Sequence, residues 1–417
     1  VVSTSLLLAD LALIVTVARV AGGLARRIGQ PPVIGEILAG VLLGPTLLSG
    51  AITRTMFAGD LRSVLSAVAS VGLVLFMLSV GHELDFRLLR GRARAVTGIA
   101  LGSVALPFGL GCLVAIWLAG YRHLHQPVVF TLFVGVSLSI TALPVLARIV
   151  TDRRLGGTRL GGLAVASAGA VDAAAWSLLA VVVCVAGGGS AWQLALLVPY
   201  LLVLVFVVRP LLAADGPRTG WLLRSGPVPL VAGLFLSAAA TEWLGLHYVF
   251  GALLFGALLP RGRERLDRQI EALQPVSALL LPVFFVVAAL NVDLSGLGRR
   301  GLGELAVIVA AAMLGKIIGA YLGARLYGVP GPEAAPVAVL MNARGVTELI
   351  VLQLGLQLGL LDTGLYSLMV AMALLTTTIT GPLLDLVRWW QHRQSRLVLA
   401  VAPPDTGFAD LASEKAA

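Results

Sequence analysis

The sequence predicts an all-α polytopic membrane protein of about thirteen transmembrane helices, arranged as two inverted six-helix repeats. Three observations carry that prediction. The chain is 58% hydrophobic and 12% charged, with a mean hydropathy of +0.97, and a soluble protein of 417 residues has too small an interior for so much apolar surface. Its apolar residues gather into runs long enough to cross a lipid bilayer as helices. Three short patterns also occur in the same order in both halves.

The runs fall at about 6–25, 33–49, 63–81, 95–119, 127–149, 161–186, 192–213, 227–243, 246–260, 273–291, 303–325, 335–358 and 364–387. An odd number of crossings puts the termini on opposite sides of the membrane. With the N-terminus outside, only Arg54, Arg62, Arg122, Arg299 and Arg300 lie in outer loops, and most of the 30 Lys and Arg residues line inner loops and the tail. Basic residues collect on the cytoplasmic side, so the expected orientation is N-terminus outside and C-terminus cytoplasmic in the cell membrane. The net charge of +9 thus reads as membrane topology and not as nucleic-acid binding. Cys112 and Cys184 lie inside apolar runs and offer neither a disulfide framework nor a metal site.

The second run contains Gly35 and Gly40 and ends at Pro45. The ninth contains Gly251 and Gly256 and ends at Pro260. The run after each ends in a similar triplet, Leu84-Asp85-Phe86 and Val292-Asp293-Leu294. Three spans on from each short run comes a polar break, Thr141-Ala142-Leu143-Pro144 and Asn342-Ala343-Arg344-Gly345. The expected organisation is a transmembrane domain over 1–390, made of repeat one (6–186), a linker helix (192–213) and repeat two (227–387). A short tail over 391–417, rich in small and polar residues, is expected to be disordered. An odd linker span inverts the second copy, which is the architecture of secondary transporters with a midplane site.

The chemistry is expected at the breaks and beside them. Asp172 is a lone acid in the apolar run Leu163–Ala180. A carboxylate at that depth costs about 3 kcal/mol or more unless paired or hydrated, so it marks an ion or proton site. Pro144 removes a backbone donor and frees carbonyls around Ser139, Ile140 and Thr141. Those carbonyls and the Thr141 hydroxyl are hard oxygen ligands suited to an alkali cation, facing a cavity. Arg344 and Glu348 are four residues apart and can pair on one helical face, bracing the second break. Asn342, which both donates and accepts, is expected to modulate the site. Lys316, near the midplane, is expected to pair with Asp172 when no cation is bound, so that cation and lysine compete for one carboxylate. Asp10, Glu36 and Asp385 are weaker acid candidates near span ends. No nucleophile–base pair or histidine metal spacing occurs inside a span, so an intramembrane enzyme is not expected.

Taken together, the segments Gln30–Gly40 with Gly44-Pro45, Ser139–Ile149, Val171-Asp172 with Ala175-Trp176, and Met341–Ile350 resemble the monovalent cation:proton antiporter-2 family, which includes Kef-type and plant cation/proton exchangers. The resemblance covers roughly residues 6–390. It implies an NhaA-like fold in which a core with two crossed discontinuous helices moves against a panel that makes a homodimer. It also implies that Asp172 matches the ion-binding aspartate, Thr141 the first broken helix, Lys316 the core lysine, and Arg344 and Glu348 the second broken helix. The expected partners are Na+ or K+ and protons, with no cofactor. The chain departs from the family at Val171, where a second polar residue usually precedes the aspartate, and this favours one proton exchanged per cation. The segment after Gln391 is too short for the nucleotide-binding domain of Kef-type systems, so no such domain is expected in this chain. The alternatives are a Kef-like potassium efflux channel, a non-transporting membrane sensor, and a Na+-driven organic-anion symporter on a similar fold.

Overall fold

A computed structural model describes residues 4–45, 60–83, 93–120, 126–155, 158–186, 191–213, 226–244, 247–295 and 298–401. Among them every regular element is helical. In chain order the helices are α1 (Thr4–Arg27), α2 (Pro32–Leu43), α3 (Asp60–Glu83), α4 (Ala93–Ala119), α5 (Pro127–Ser139), α6 (Leu143–Asp152) and α7 (Arg159–Ala186). Next, α8 (Ala191–Val203) runs through a π-helical turn, Leu204–Val208, into α9 (Arg209–Ala213). The second half holds α10 (Val228–Trp243), α11 (Tyr248–Leu258), α12 (Glu264–Ala289), α13 (Arg299–Leu326), α14 (Gly331–Leu340), α15 (Val346–Gln357) and α16 (Thr363–Val401).

Seven of these, α1, α3, α4, α7, α12, α13 and α16, are long and apolar enough to cross a membrane. About thirteen transmembrane helices are expected, and among the described residues seven reach crossing length as unbroken helices. The runs at 127–149 and 335–358 are each split into a pair, α5 with α6 and α14 with α15. A helix of ten to thirteen residues is only about 15–20 Å long, roughly half a bilayer core, so neither member of a pair is long enough to cross alone. Prolines set several of the starts: Pro32 opens α2, Pro127 opens α5 and Pro144 lies in the first turn of α6, where the missing N–H costs nothing.

The helices sort into two bodies. One, the panel, packs α1, α2, α3, α10, α11 and α12. The other, the core, packs α4 to α7 with α13 to α16 and is held most extensively by α4 against α13. Glycines allow the closest approaches. Gly98 and Gly102 of α4 face Gly323 and Gly319 of α13, and a Cβ on any of them would collide with the opposing helix. With no hydrophobic drive between helices in lipid, such small-residue seams supply the packing. In the panel, Gly35 of α2 rests on Ala21 of α1, and Gly40 rests on Val286 of α12. At the matching positions of α11, Gly251 rests on Ser237 of α10, and Gly256 rests on Leu78 of α3.

The Asp85 triplet lies outside the described residues. The tail does not begin at Gln391, because α16 continues to Val401. Nothing between Gln391 and Ala402 breaks a helix, and the first proline after it is Pro403. Residues 402–417 lie outside the described part.

Candidate functional site

The two polar breaks cross in the core. The Ala142 N–H donates to Ala343 O (2.9 Å), and the Thr141 hydroxyl donates to Met341 O (3.0 Å). Gly345 lies so close to Val145 that a Cβ would meet its Cγ2 at 2.6 Å. Four half-helix ends therefore converge. The C-terminal ends of α5 and α14 carry partial negative charge, and the N-terminal ends of α6 and α15 carry partial positive charge. In this buried setting each end needs a polar partner.

Two buried cations serve the end of α5. Arg344 donates to Ser137 O (3.0 Å) and to Leu138 O, and pairs with Glu348 at 2.5 Å. Lys316 donates to Ser139 O and to Ser103 O, the latter at 3.0 Å. Glu348 in turn sits in the first turn of α15, the favourable end for a carboxylate. Arg344, Glu348 and Lys316 are all fully buried. The expected Arg344–Glu348 pair forms. The expectation that the Ser139 carbonyl is free to face a cavity fails, since the Lys316 ammonium occupies it.

Asp172 is 1% exposed, and neither of its carboxylate oxygens has a hydrogen-bond partner. The Leu143 N–H at the start of α6 is a backbone donor beside it and acts on it without meeting full hydrogen-bond geometry, and the Lys316 ammonium acts on it through space. Lys316 does not pair with it, contrary to expectation, because two carbonyls take the ammonium instead. Val171, beside it, is completely buried and offers no polar atom. A buried carboxylate without a donor is costly as a bare anion, so this position favours taking up a proton or a cation.

Asn342 is fixed from α16. Its Nδ2 donates to Thr376 O and Thr380 Oγ1, both at 3.2 Å. The Thr380 hydroxyl already donates to Thr376 O (2.8 Å), so it can only accept from Asn342. That settles the amide orientation and leaves Asn342 Oδ1 as a buried acceptor without a partner. Thr377 accepts from the Arg344 N–H (3.0 Å) and donates to Arg344 O (2.8 Å), tying the second break to α16. Of the weaker acids, Asp10 is buried with one unpartnered oxygen, Glu36 lies against Gly22, and Asp385 pairs with Arg153 near the end of α6.

Residue-level reading missed Ser103 with Pro107, and the threonines of α16. Both had visible signals. Pro107 stands four residues after Ser103 inside an apolar run, and Thr376-Thr377-Thr378-Ile379-Thr380 is an unusually polar stretch for a crossing.

Fold and site together define an integral membrane protein built around crossed discontinuous helices with a buried, unpaired carboxylate beside the crossing. Residues 12–390 match the transmembrane sodium/hydrogen exchanger family, and the chain belongs to that family. It is 37% identical to cation/H(+) antiporter 20 of Arabidopsis thaliana, over 90% of this chain and 48% of that protein. It is 36% identical to the Na(+)/H(+) antiporter NhaS4 of Synechocystis sp., over 91% of this chain and 96% of that protein. The chain thus spans about half the plant relative and nearly all of the cyanobacterial one. Its fold is similar to that of the sodium proton antiporter MjNhaP1 from Methanocaldococcus jannaschii at pH 8. The TM-score is 0.62 at 15% identity, over 92% of this chain and 96% of that one.

Proposed function

We propose that this chain exchanges a monovalent cation, Na+ or K+, for protons across the cytoplasmic membrane by alternating access, one proton per cation. The observation that carries the reading is Asp172, a buried carboxylate without an ion-pair partner, placed beside the α6 N-terminus and the crossing. One carboxylate holds either a proton or a cation, and that exclusivity is the coupling. Thr141 and the backbone oxygens of the break, other than those taken by Lys316 and Arg344, complete the cation's shell. Asn342, in the second break, keeps a buried Oδ1 acceptor without a partner. Arg344 and Glu348 brace the crossing so that the four half-helix ends move as one body. Val171 adds no second titrating group, which supports a single exchange site.

The same reading takes the chain as thirteen crossings in two inverted six-helix repeats joined by the helix over 192–213. The support is the matched glycine contacts, Gly35 and Gly40 in one half with Gly251 and Gly256 in the other. The N-terminus is placed outside and the C-terminus in the cytoplasm, as the uneven distribution of basic residues favours. The panel is the stationary body and pairs with the panel of a second copy.

The test is reconstitution in liposomes with an internal pH dye and an imposed proton gradient, adding Na+, K+ or Li+ in turn. Cation-dependent proton movement that is absent in Asp172→Asn is the expected result. Uncoupled cation flux, or no flux from folded protein, would overturn the antiport reading.

A further inference from the structure

Lys316 is held by two carbonyls, and each is free for the same kind of reason. Ser139 O lies at the end of α5, where the helix stops. Ser103 O lies inside α4, a continuous helix, and would ordinarily accept from the N–H four residues on. That residue is Pro107, which has no N–H. The Ser103 carbonyl is therefore an acceptor released by a proline, and the Lys316 ammonium meets it at 3.0 Å. Pro107 also packs directly on Gly315, the residue before Lys316, where an added Cβ would lie only 2.9 Å from the proline Cα. One residue thus both opens the acceptor and brings the lysine's backbone to it.

We infer that Pro107 is a positioning residue: by freeing Ser103 O it holds the Lys316 ammonium away from Asp172, so that a cation entering the site does not have to displace a lysine. The inference rests on the proposed exchange at Asp172. The charged groups acting on Lys316 are Arg344, Glu348 and Asp172. Arg344 repels the ammonium and is already committed to Glu348 and the α5 carbonyls. Glu348 also attracts it and has an Oε1 without a partner, but that carboxylate is already neutralised by Arg344 at 2.5 Å, whereas Asp172 has no ion pair, so Asp172 is the acceptor to which a released lysine turns.

Pro107→Ala restores an N–H that competes for Ser103 O. Lys316 then loses one acceptor and shifts toward Asp172. The apparent affinity for Na+ or K+ should fall by roughly tenfold or more, the scale of one hydrogen bond to a charged group, with the maximal exchange rate largely kept. The same change made in a Lys316→Met background should leave cation affinity unaltered, because the competitor is gone. A purely structural role for the proline would instead shift affinity and rate alike in both backgrounds.

Affinity is read twice for each variant, from liposome exchange and from the half-saturating cation concentration for thermal stabilisation of the purified protein. Unchanged affinity in folded Pro107→Ala, or an equal loss in both backgrounds, overturns the inference while wild-type exchange leaves the antiport reading standing. Stabilisation by cation without any exchange would sink antiport alone, and the positioning role would still be judged from the stabilisation midpoints. Wild-type protein that no alkali cation stabilises would overturn both.

Discussion

At the scale of single residues, the site is a set of charges each given a different answer to burial. Arg344 and Glu348 neutralise one another and Arg344 also donates to backbone carbonyls, Lys316 is satisfied by backbone alone, and Asp172 has no ion pair. Removing half of a buried ion pair leaves the other half uncompensated, at a cost of about 3–5 kcal/mol. Glu348→Gln should therefore lower the melting temperature of the purified protein sharply, whereas Asp172→Asn should leave it unchanged or higher while abolishing exchange. Equal stability losses in the two variants would contradict this division of roles. Thr380→Val removes one of the two acceptors that orient Asn342. The amide is then held by Thr376 O alone, and cation affinity should drop by roughly fivefold, about the worth of one neutral hydrogen bond. Titration of exchange against cation concentration measures it.

At the scale of elements, the seam between α4 and α13 is the tightest in the core. Gly319 faces the Gly102 backbone, so Gly319→Leu should drive the helices apart and leave little monodisperse protein after detergent extraction. Gly303, on the same helix, has nothing within 4 Å of its would-be Cβ. Gly303→Ala should be neutral or stabilise by about 0.5–1 kcal/mol through helix propensity. Size-exclusion profiles of the two variants side by side would decide whether the effect belongs to the seam or to glycine loss in general. Much at this scale was legible beforehand. The paired glycines of α2 and α11 and the two polar breaks are local signals, carried by residues within one turn of each other. Which helix each glycine touches was not legible, because Gly40 meets α12 and Gly256 meets α3 only after the chain has folded back on itself.

At the scale of the whole molecule, panel and core are joined by a few polar links. His247 meets Gln357 (3.3 Å), Tyr366 donates to Ala288 O (2.9 Å), the Asp293 N–H donates to Ser367 (2.9 Å), and Gln30 donates to Thr378 O (3.2 Å). If the core moves against the panel, these links must break in each cycle. A short thiol cross-linker between His247→Cys and Gln357→Cys, with Cys112→Ser and Cys184→Ser to remove competing thiols, should stop exchange while cation-induced stabilisation persists. Full exchange by cross-linked protein would show that the two bodies do not move apart at this point.

Local residue patterns already show that the chain lives in a membrane, where its helices are interrupted and which acid is out of place. Those properties follow from hydropathy, from proline's missing donor and from the cost of a charge in hydrocarbon, all of which act within a few residues. Where the buried cations go depends instead on the packing of distant segments. Lys316 was expected on Asp172, yet its ammonium rests on carbonyls 213 and 177 residues away in the chain. Arg344 likewise grips backbone more than 200 residues distant. A carbonyl becomes an acceptor wherever a helix is interrupted, but which ammonium reaches it depends on how the interrupted helices are stacked, and no local pattern records that.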